Sequence, residues 1–316
     1  MPSQFEIHLH RVQSGLAKVE YVYLSHDRWP LSRQAPTGPR LNISVLDSSF
    51  NPPTLAHKAL AETSFPESFK NTLGERERFH ARLLLLSVRN ADKLLNSSDA
   101  TYAQRLEMMV LLAKDLSTVE TLAPSAETQS THEVADSNVA VAIIDEPTFV
   151  GKSNVLRTSI RERISQLSQT DVPAAESSGS RPSSSANPCL NFLVGMDTLD
   201  RLFAPRYYSS EEKMQASLRQ FLSPDGDDSR VICARRSGLA EDPEVLEART
   251  LTAAREFIHS DRIALVDLDS TLATLSSSAV RRQISGGTPD FVWKSFVTES
   301  VANYITVSGL YLHLAV

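Results

Sequence analysis

Residues 48–57 read SSFNPPTLAH. Just before them, ISVL (43–46) is an unbroken apolar run, the mark of a strand buried on both faces. Just after them, KALAET opens a helical pattern. The chain therefore leaves a strand through a short polar turn with two prolines and enters a helix. That is the repeating unit of a parallel sheet. It puts the turn beyond the carboxyl end of the strand, where open α/β sheets hold their ligands. A helix starting there offers backbone N–H groups and a partial positive charge to an anion. Thr54 suits the N-cap. Thr54 and His57, three apart, share one face of the first turn and can face one phosphate. Ser48, Asn51 and the backbone of Ser49 and Phe50 can meet it from the loop. The same residues would serve a turn in which Thr54 only caps and His57 only packs, and this segment alone leaves the two readings level.

Five further apolar runs follow: RLLLLSV (82–88), VAVAII (139–144), LNFLVG (190–195), RVICA (230–234) and RIALVDL (262–268). Helical patterns lie between them at 101–116, 153–167 and 242–258. This alternation predicts an α/β fold, a Rossmann-like doubly wound parallel sheet of about six strands. Residues 1–40 stand apart as an N-terminal extension. Phe5, Leu9, Val12, Leu16 and Val19, spaced by threes and fours, predict an amphipathic helix in it, and RQAPTGPR reads as a linker. Residues 41–316 form the expected domain. Within it, the Ser/Pro-rich stretch 168–188 has no apolar period and is expected to be a disordered insertion, and 123–138 a surface loop.

The 316 residues carry a formal net charge of −6, a poor match for duplex nucleic acid. No apolar run approaches the ~20 residues of a membrane span, and no cationic-then-apolar leader opens the chain. Cys189 and Cys233 are far apart and lack metal-ligand spacing. They read as free thiols of a reducing compartment, so cytoplasm or nucleus is expected.

A second constellation lies far along the chain, in TLATLSSSAVRRQISGG (271–287). Ser277 and Ser278 come at the start of a helical pattern, where hydroxyls and backbone N–H groups can hold an anion. Arg281 and Arg282 follow, expected in the first turn, where cations oppose the helix dipole unless an anion is bound. A capped helix with solvated arginines is the plain alternative.

Taken together these segments resemble a family. SSFNPPTLAH resembles the T/H-x-G-H loop of the HIGH-type nucleotidyltransferases, and LSSSAVRR their I-S-S-T-x-x-R motif. GMDTLDRLF (195–203) is similar to the G-x-D segment after the fourth strand, and YAQRLEMMVLLA (102–113) to an R-x-x-M helix. ESVANYITVSGLYL (299–312) resembles the V-x-x-Y-I-x-x-x-G-L-Y ending of nicotinamide mononucleotide adenylyltransferases. The NADK and EPTFVGKS stretches resemble the fungal promoter-of-filamentation-type members of that family. The five matches, in order, span most of the chain outside the extension and the Ser-rich insertion.

The resemblance implies adenylyl transfer. The 5′-phosphate of nicotinamide mononucleotide attacks the α-phosphate of Mg-ATP, giving NAD and pyrophosphate without a covalent enzyme intermediate. It implies Mg2+ entering with ATP, and nicotinic acid mononucleotide as a further substrate. His57, Thr54 and Arg281 would be catalytic; Ser48, Ser49, Phe50, Asn51, Ser277 and Ser278 would join His57 and Arg281 around ATP. Lys93, Phe149 and Asp197 would meet the mononucleotide, with Tyr207 or Tyr208 as other stacking partners. The bland readings are a solvated Lys93, a core Phe149 and Asp197 as a helix cap; Trp293 reads as packing. Two departures stand out: Ser48 and Ala56 occupy positions where the family has glycine. The rival readings are another nucleotidyltransferase, taking pantetheine phosphate or CTP, and a regulatory or scaffold protein that binds or hydrolyses ATP through a degenerate site. In the latter, the extension or the insertion would bind protein partners.

Overall fold

The computed structural model describes residues 3–31, 40–69, 78–89, 99–117, 138–170, 187–235 and 243–312. Lys93 lies outside the described residues, as do most of the 123–138 and 168–188 stretches. The described strands are β1 (Val19–Leu24), β2 (Arg40–Asp47), β3 (Ala81–Ser87), β4 (Val139–Ile144), β5 (Asn187–Gly195), β6 (Arg230–Arg235) and β7 (Ile263–Asp267). The helices, in chain order, are α1 (Gln4–Gln13), α2 (Leu55–Ala61), α3 (Tyr102–Ser117), α4 (Phe149–Thr170), α5 (Met196–Leu202) and α6 (Glu211–Leu222). They continue with α7 (Pro243–Ala253), α8 (Arg255–His259), α9 (Ser270–Ala273), α10 (Ser277–Ser285), α11 (Asp290–Lys294) and α12 (Glu299–Val307).

The strands form one sheet in the order β1-β4-β3-β2-β5-β6-β7. From β4 to β7 every pairing is parallel. The six apolar runs are these six parallel strands, and their inner residues are buried, as a sheet covered on both faces requires. One face packs on Leu156 and Ile160 of α4, Leu199 of α5 and Leu218 and Phe221 of α6. The other packs on Leu9 and Val12 of α1, Leu60 of α2 and Leu106, Met109 and Leu112 of α3. A third cluster, with Val280, Trp293, Val301 and Ile305, joins α10, α11 and α12 to Met108 of α3.

The seventh strand is a correction to the sequence reading. The helix expected from Phe5 to Val19 ends at Gln13, because Gly15 takes a left-handed φ of 75° that closes the helix. Leu16 is left 69 % exposed. Val19 then begins β1, which pairs antiparallel with β4, so the sheet reaches back before Leu41. An edge strand that is half-buried throughout carries no continuous apolar run, and its Val19 also fits helical spacing. Two helices differ in extent as well. α4 begins at Phe149 rather than residue 153, which puts the FVGK part of EPTFVGK in its first turn, and the pattern at 242–258 divides into α7 and α8.

β2, the first strand of the parallel set, sits in the middle with β3 on one side and β5 on the other. The chain's direction of travel across the sheet reverses between β2 and β5. That is the switch point beyond which open α/β sheets bind ligands. The loop 48–57 leaves β2 there, and Gly195, opening GMD, ends β5 beside it.

Candidate functional site

The loop after β2 is held rigidly. Phe50, Asn51 and Thr54 are buried, and Phe50 adopts φ 44°, a left-handed conformation that bulky residues seldom take. Strain of this kind persists where surrounding contacts over-determine it, and here they do. The Asn51 side chain donates to Asp99 Oδ1 (2.6 Å) and accepts from the Ala100 N–H (3.2 Å) and the Tyr311 hydroxyl (2.9 Å). Asp99 also lies 3.6 Å from Arg105 on one oxygen and 3.6 Å from Arg281 on the other. Arg105 donates to the carbonyls of Ala100 (2.9 Å) and Ser49 (3.4 Å). Burial pulls its guanidinium below the usual arginine value while Asp99 pushes it back up; the group remains a cation.

His57 is oriented by its own helix cap. Thr54 is the N-cap of α2, and its backbone N–H (3.1 Å) and hydroxyl (2.8 Å) both point at His57 Nδ1. A nitrogen that accepts a backbone N–H carries no proton, so in the neutral ring the proton is on Nε2. Nε2 lies 3.0 Å from Ser48 Oγ, to which it donates. The ring packs against Phe50, centroids 5.4 Å apart. The start of α2 is less open to an anion than the sequence suggests: the Leu55 N–H goes to the Phe296 carbonyl and the Thr54 N–H to His57.

The second constellation docks onto the first. Ser277 Oγ donates to the Pro52 carbonyl (2.7 Å), and Arg281 Nη1 donates to the Asn51 carbonyl (2.5 Å). Segments about 225 residues apart thus share one surface. Ser276 caps α10, accepting the Ala279 N–H at 3.2 Å, and Ser278 is exposed. One inference needs correcting. α10 begins at Ser277, so Arg281 lies in its second turn and Arg282 in its last, where a cation favours the dipole. The arginines therefore carry no dipole argument for an anion. What speaks for one is the position of Arg281 beside the loop.

Four of the five motif segments meet in this network: the loop, α10, Arg105 of RLEM and Tyr311 of the GLY ending. No family model matches the chain. A Schizosaccharomyces pombe protein, provisionally named a nicotinamide mononucleotide adenylyltransferase, is 28 % identical over 278 residues, covering 86 % of each chain. The chain is thus similar, over most of its length, to a protein of the nicotinamide mononucleotide adenylyltransferase kind. Two solved structures of Plasmodium falciparum nicotinic acid mononucleotide adenylyltransferase also align with it. One is complexed with APC (16 % identity, TM-score 0.45), the other with NaAD (17 %, 0.48). Each covers 87 % of this chain and all of its own.

Across the switch point, Asp197 is exposed in the first turn of α5. The N-cap is Gly195, so the cap reading of Asp197 does not hold. Phe149 packs edge-to-face on Phe192 (5.5 Å) and lies under Lys152 Nζ (5.1 Å). Tyr208 donates to the Leu202 carbonyl (2.9 Å), and burial pushes its hydroxyl up to about 12. Tyr207 carries the Arg206 guanidinium over its ring at 4.9 Å. Trp293 is buried, as its packing role requires. Cys189 and Cys233 are free and buried, and burial raises both thiols, to about 11 and 12.

Sequence reading missed a buried ion pair beneath the loop. Lys152, in the first turn of α4, donates to Asp47 Oδ2, and the side chains are 6 % and 9 % exposed. Asp47 is the last residue of β2. Only the placement of α4 brings them together: Lys152 belongs to the EPTFVGKS stretch, but nothing in that stretch points to Asp47. At Gly151 the Glu146 carboxyl group folds in so closely that a Cβ would come within 2.3 Å of it, and a side chain there would have to displace that carboxyl.

Proposed function

We propose that the chain transfers AMP from Mg-ATP to the 5′-phosphate of nicotinamide mononucleotide. A mononucleotide oxygen forms the new bond to the α-phosphorus, the bond to the bridging oxygen breaks, and pyrophosphate leaves. The observation that carries this reading is the docking of Ser277 and Arg281 onto the backbone of the SSFNPPTLAH loop at the switch point. His57 supplies an N–H from a ring fixed by Thr54, and Ser48 accepts it until a phosphate oxygen replaces the hydroxyl. Ser278 at the open start of α10 and the remaining guanidinium donors of Arg281 would complete the grip on the triphosphate. Asp197, across the crevice, would take the mononucleotide, whose nicotinic acid form is a second candidate substrate. The residues' task is positioning and charge stabilisation, with no covalent step.

Among the described residues no three His, Cys, Asp or Glu side chains gather to hold a metal. An Mg2+ that travels on the triphosphate needs no such cluster, since phosphates and water supply its ligands. When bound, it neutralises phosphate charge.

The test is pyrophosphate release by the purified chain with Mg-ATP, with and without nicotinamide mononucleotide, and NAD measured in parallel. Release that requires the mononucleotide, matched by NAD, is the expected result. A second reading rests on Ser48 and Ala56, which stand where the family has glycine, Ala56 with its methyl buried. If that reading is right, ATP will be bound or hydrolysed without NAD, as in a regulatory or scaffold protein. Nicotinic acid and pantetheine phosphates in the same assay separate the remaining alternatives.

A further inference from the structure

Two arginines reach the loop 48–57, and one carboxylate stands between them. Arg281 is held at two of its guanidinium nitrogens: Nη1 donates to the Asn51 carbonyl (2.5 Å), and Nε lies 3.6 Å from Asp99 Oδ1. A planar guanidinium fixed at two nitrogens has its plane fixed, and with it the orientation of the third. That third nitrogen, Nη2, donates no hydrogen bond to the described residues. The Arg281 side chain is 26 % exposed and can meet a ligand, whereas that of Asp99, at 11 %, is withdrawn from solvent.

Asp99 is in turn fixed from several sides. Its Oδ1 accepts from Asn51 Nδ2 (2.6 Å), and its Oδ2 lies 3.6 Å from Arg105 Nη2. Arg105 donates to the carbonyls of Ala100 and Ser49, and the Asn51 amide is set by the Ala100 N–H and the Tyr311 hydroxyl. Burial and, more weakly, the charge of Arg281 lower the Arg105 guanidinium, while Asp99 raises it. The two arginines are thus close enough to repel, and the Asp99 charge offsets that repulsion at the loop.

We propose that Asp99 is a positioning residue for the transfer: it touches neither nucleotide and acts by holding the Arg281 guanidinium against the loop, at the angle at which it meets the triphosphate. This rests on the reading of the crevice as an adenylyl-transfer site. A cation already in place needs no reorganisation when charge develops on the transferring group. Asp99→Asn separates charge from shape, because the amide keeps an oxygen for the Asn51 N–H and gives up the charge that Arg281 faces.

The experiment is a double-mutant cycle on the full chain: parent, Asp99→Asn, Arg281→Gln and both together. Each is measured for kcat and KM in NAD formation and, by calorimetry, for the Kd of a non-hydrolysable ATP analogue. Asp99→Asn should lower kcat/KM for ATP about tenfold, leave the KM for the mononucleotide unchanged, and raise the analogue Kd. In the Arg281→Gln background the same change should cost less than about twofold, since the group it acts through is gone. A scaffold role would lower activity by the same factor in both backgrounds, and that result overturns the proposal. Circular dichroism and melting temperature establish that each variant folds. If Asp99→Asn does not, Asp99→Glu, which keeps the charge but moves it by one methylene, takes its place in the cycle under the same criterion. A parent chain that binds the analogue but makes no NAD defeats the adenylyl-transfer reading alone, and the cycle is then decided on the Kd values. A parent chain that binds no analogue overturns both.

Discussion

The two flanks of the crevice differ in how far they are built in advance. On the β2 flank, the turn is buried from Phe50 to Thr54 and tied to α3, α10 and the end of the chain through Asn51, Asp99 and Tyr311. On the β5 flank, Gly195 caps a two-turn helix without a side chain, and Asp197 faces solvent. On the proposed reaction, the first flank grips the triphosphate and the second receives the mononucleotide. The grip on phosphate is then set before either substrate arrives, while the second substrate organises its own side. A preformed array is what electrostatic stabilisation of a transferring phosphoryl group requires.

The variants that probe this contrast rank by size of effect. Asp99→Ala leaves Arg105 and Arg281 without their shared carboxylate and Asn51 without its acceptor. Breaking one side of a buried charge network costs about 3–5 kcal/mol, to be read as a drop in unfolding free energy by denaturant titration. Lys152→Met should cost about 3 kcal/mol by the same measure, since Asp47 would be left buried alone. His57→Ala should lower kcat by about 10²–10³, as removal of a positioned oxyanion donor does, while loss of the contact to the cap costs only about 1 kcal/mol of stability. Asp197→Ala should move stability by less than about 0.5 kcal/mol. Its effect should be a rise of about tenfold in KM for the mononucleotide, with the KM for ATP unchanged. Tyr311→Phe removes one buried hydrogen bond to Asn51, worth about 1 kcal/mol. If Asp99→Ala were no more destabilising than Asp197→Ala, the contrast between the flanks would not exist.

Much of the fold was legible because parallel strands announce themselves. LLLL in β3 and VAVAII in β4 leave little choice but burial on both faces. The edge strand β1 was hidden because its alternation at Glu20 and Tyr21 competes with a helical spacing that Gly15 in fact interrupts. Within the site, the pairing of Thr54 with His57 could be read from a three-residue spacing. The pairings that hold the loop could not. Asn51 meets Tyr311 across 260 positions, and Lys152 meets Asp47 across 105. Such contacts follow from strand order and helix packing, which no local pattern encodes. The two motifs whose roles were least evident, R-x-x-M and the GLY ending, gain a physical meaning only in three dimensions: both brace the loop from behind.

The most direct test of the central claim is an experimental structure of the chain with a non-hydrolysable ATP analogue. The triphosphate should lie at the switch point, within hydrogen-bond reach of His57 Nε2 and Arg281, with Ser48 Oγ released from the histidine. A nucleotide bound elsewhere, with the His57–Ser48 contact intact and Arg281 still on the Asn51 carbonyl, would contradict the account.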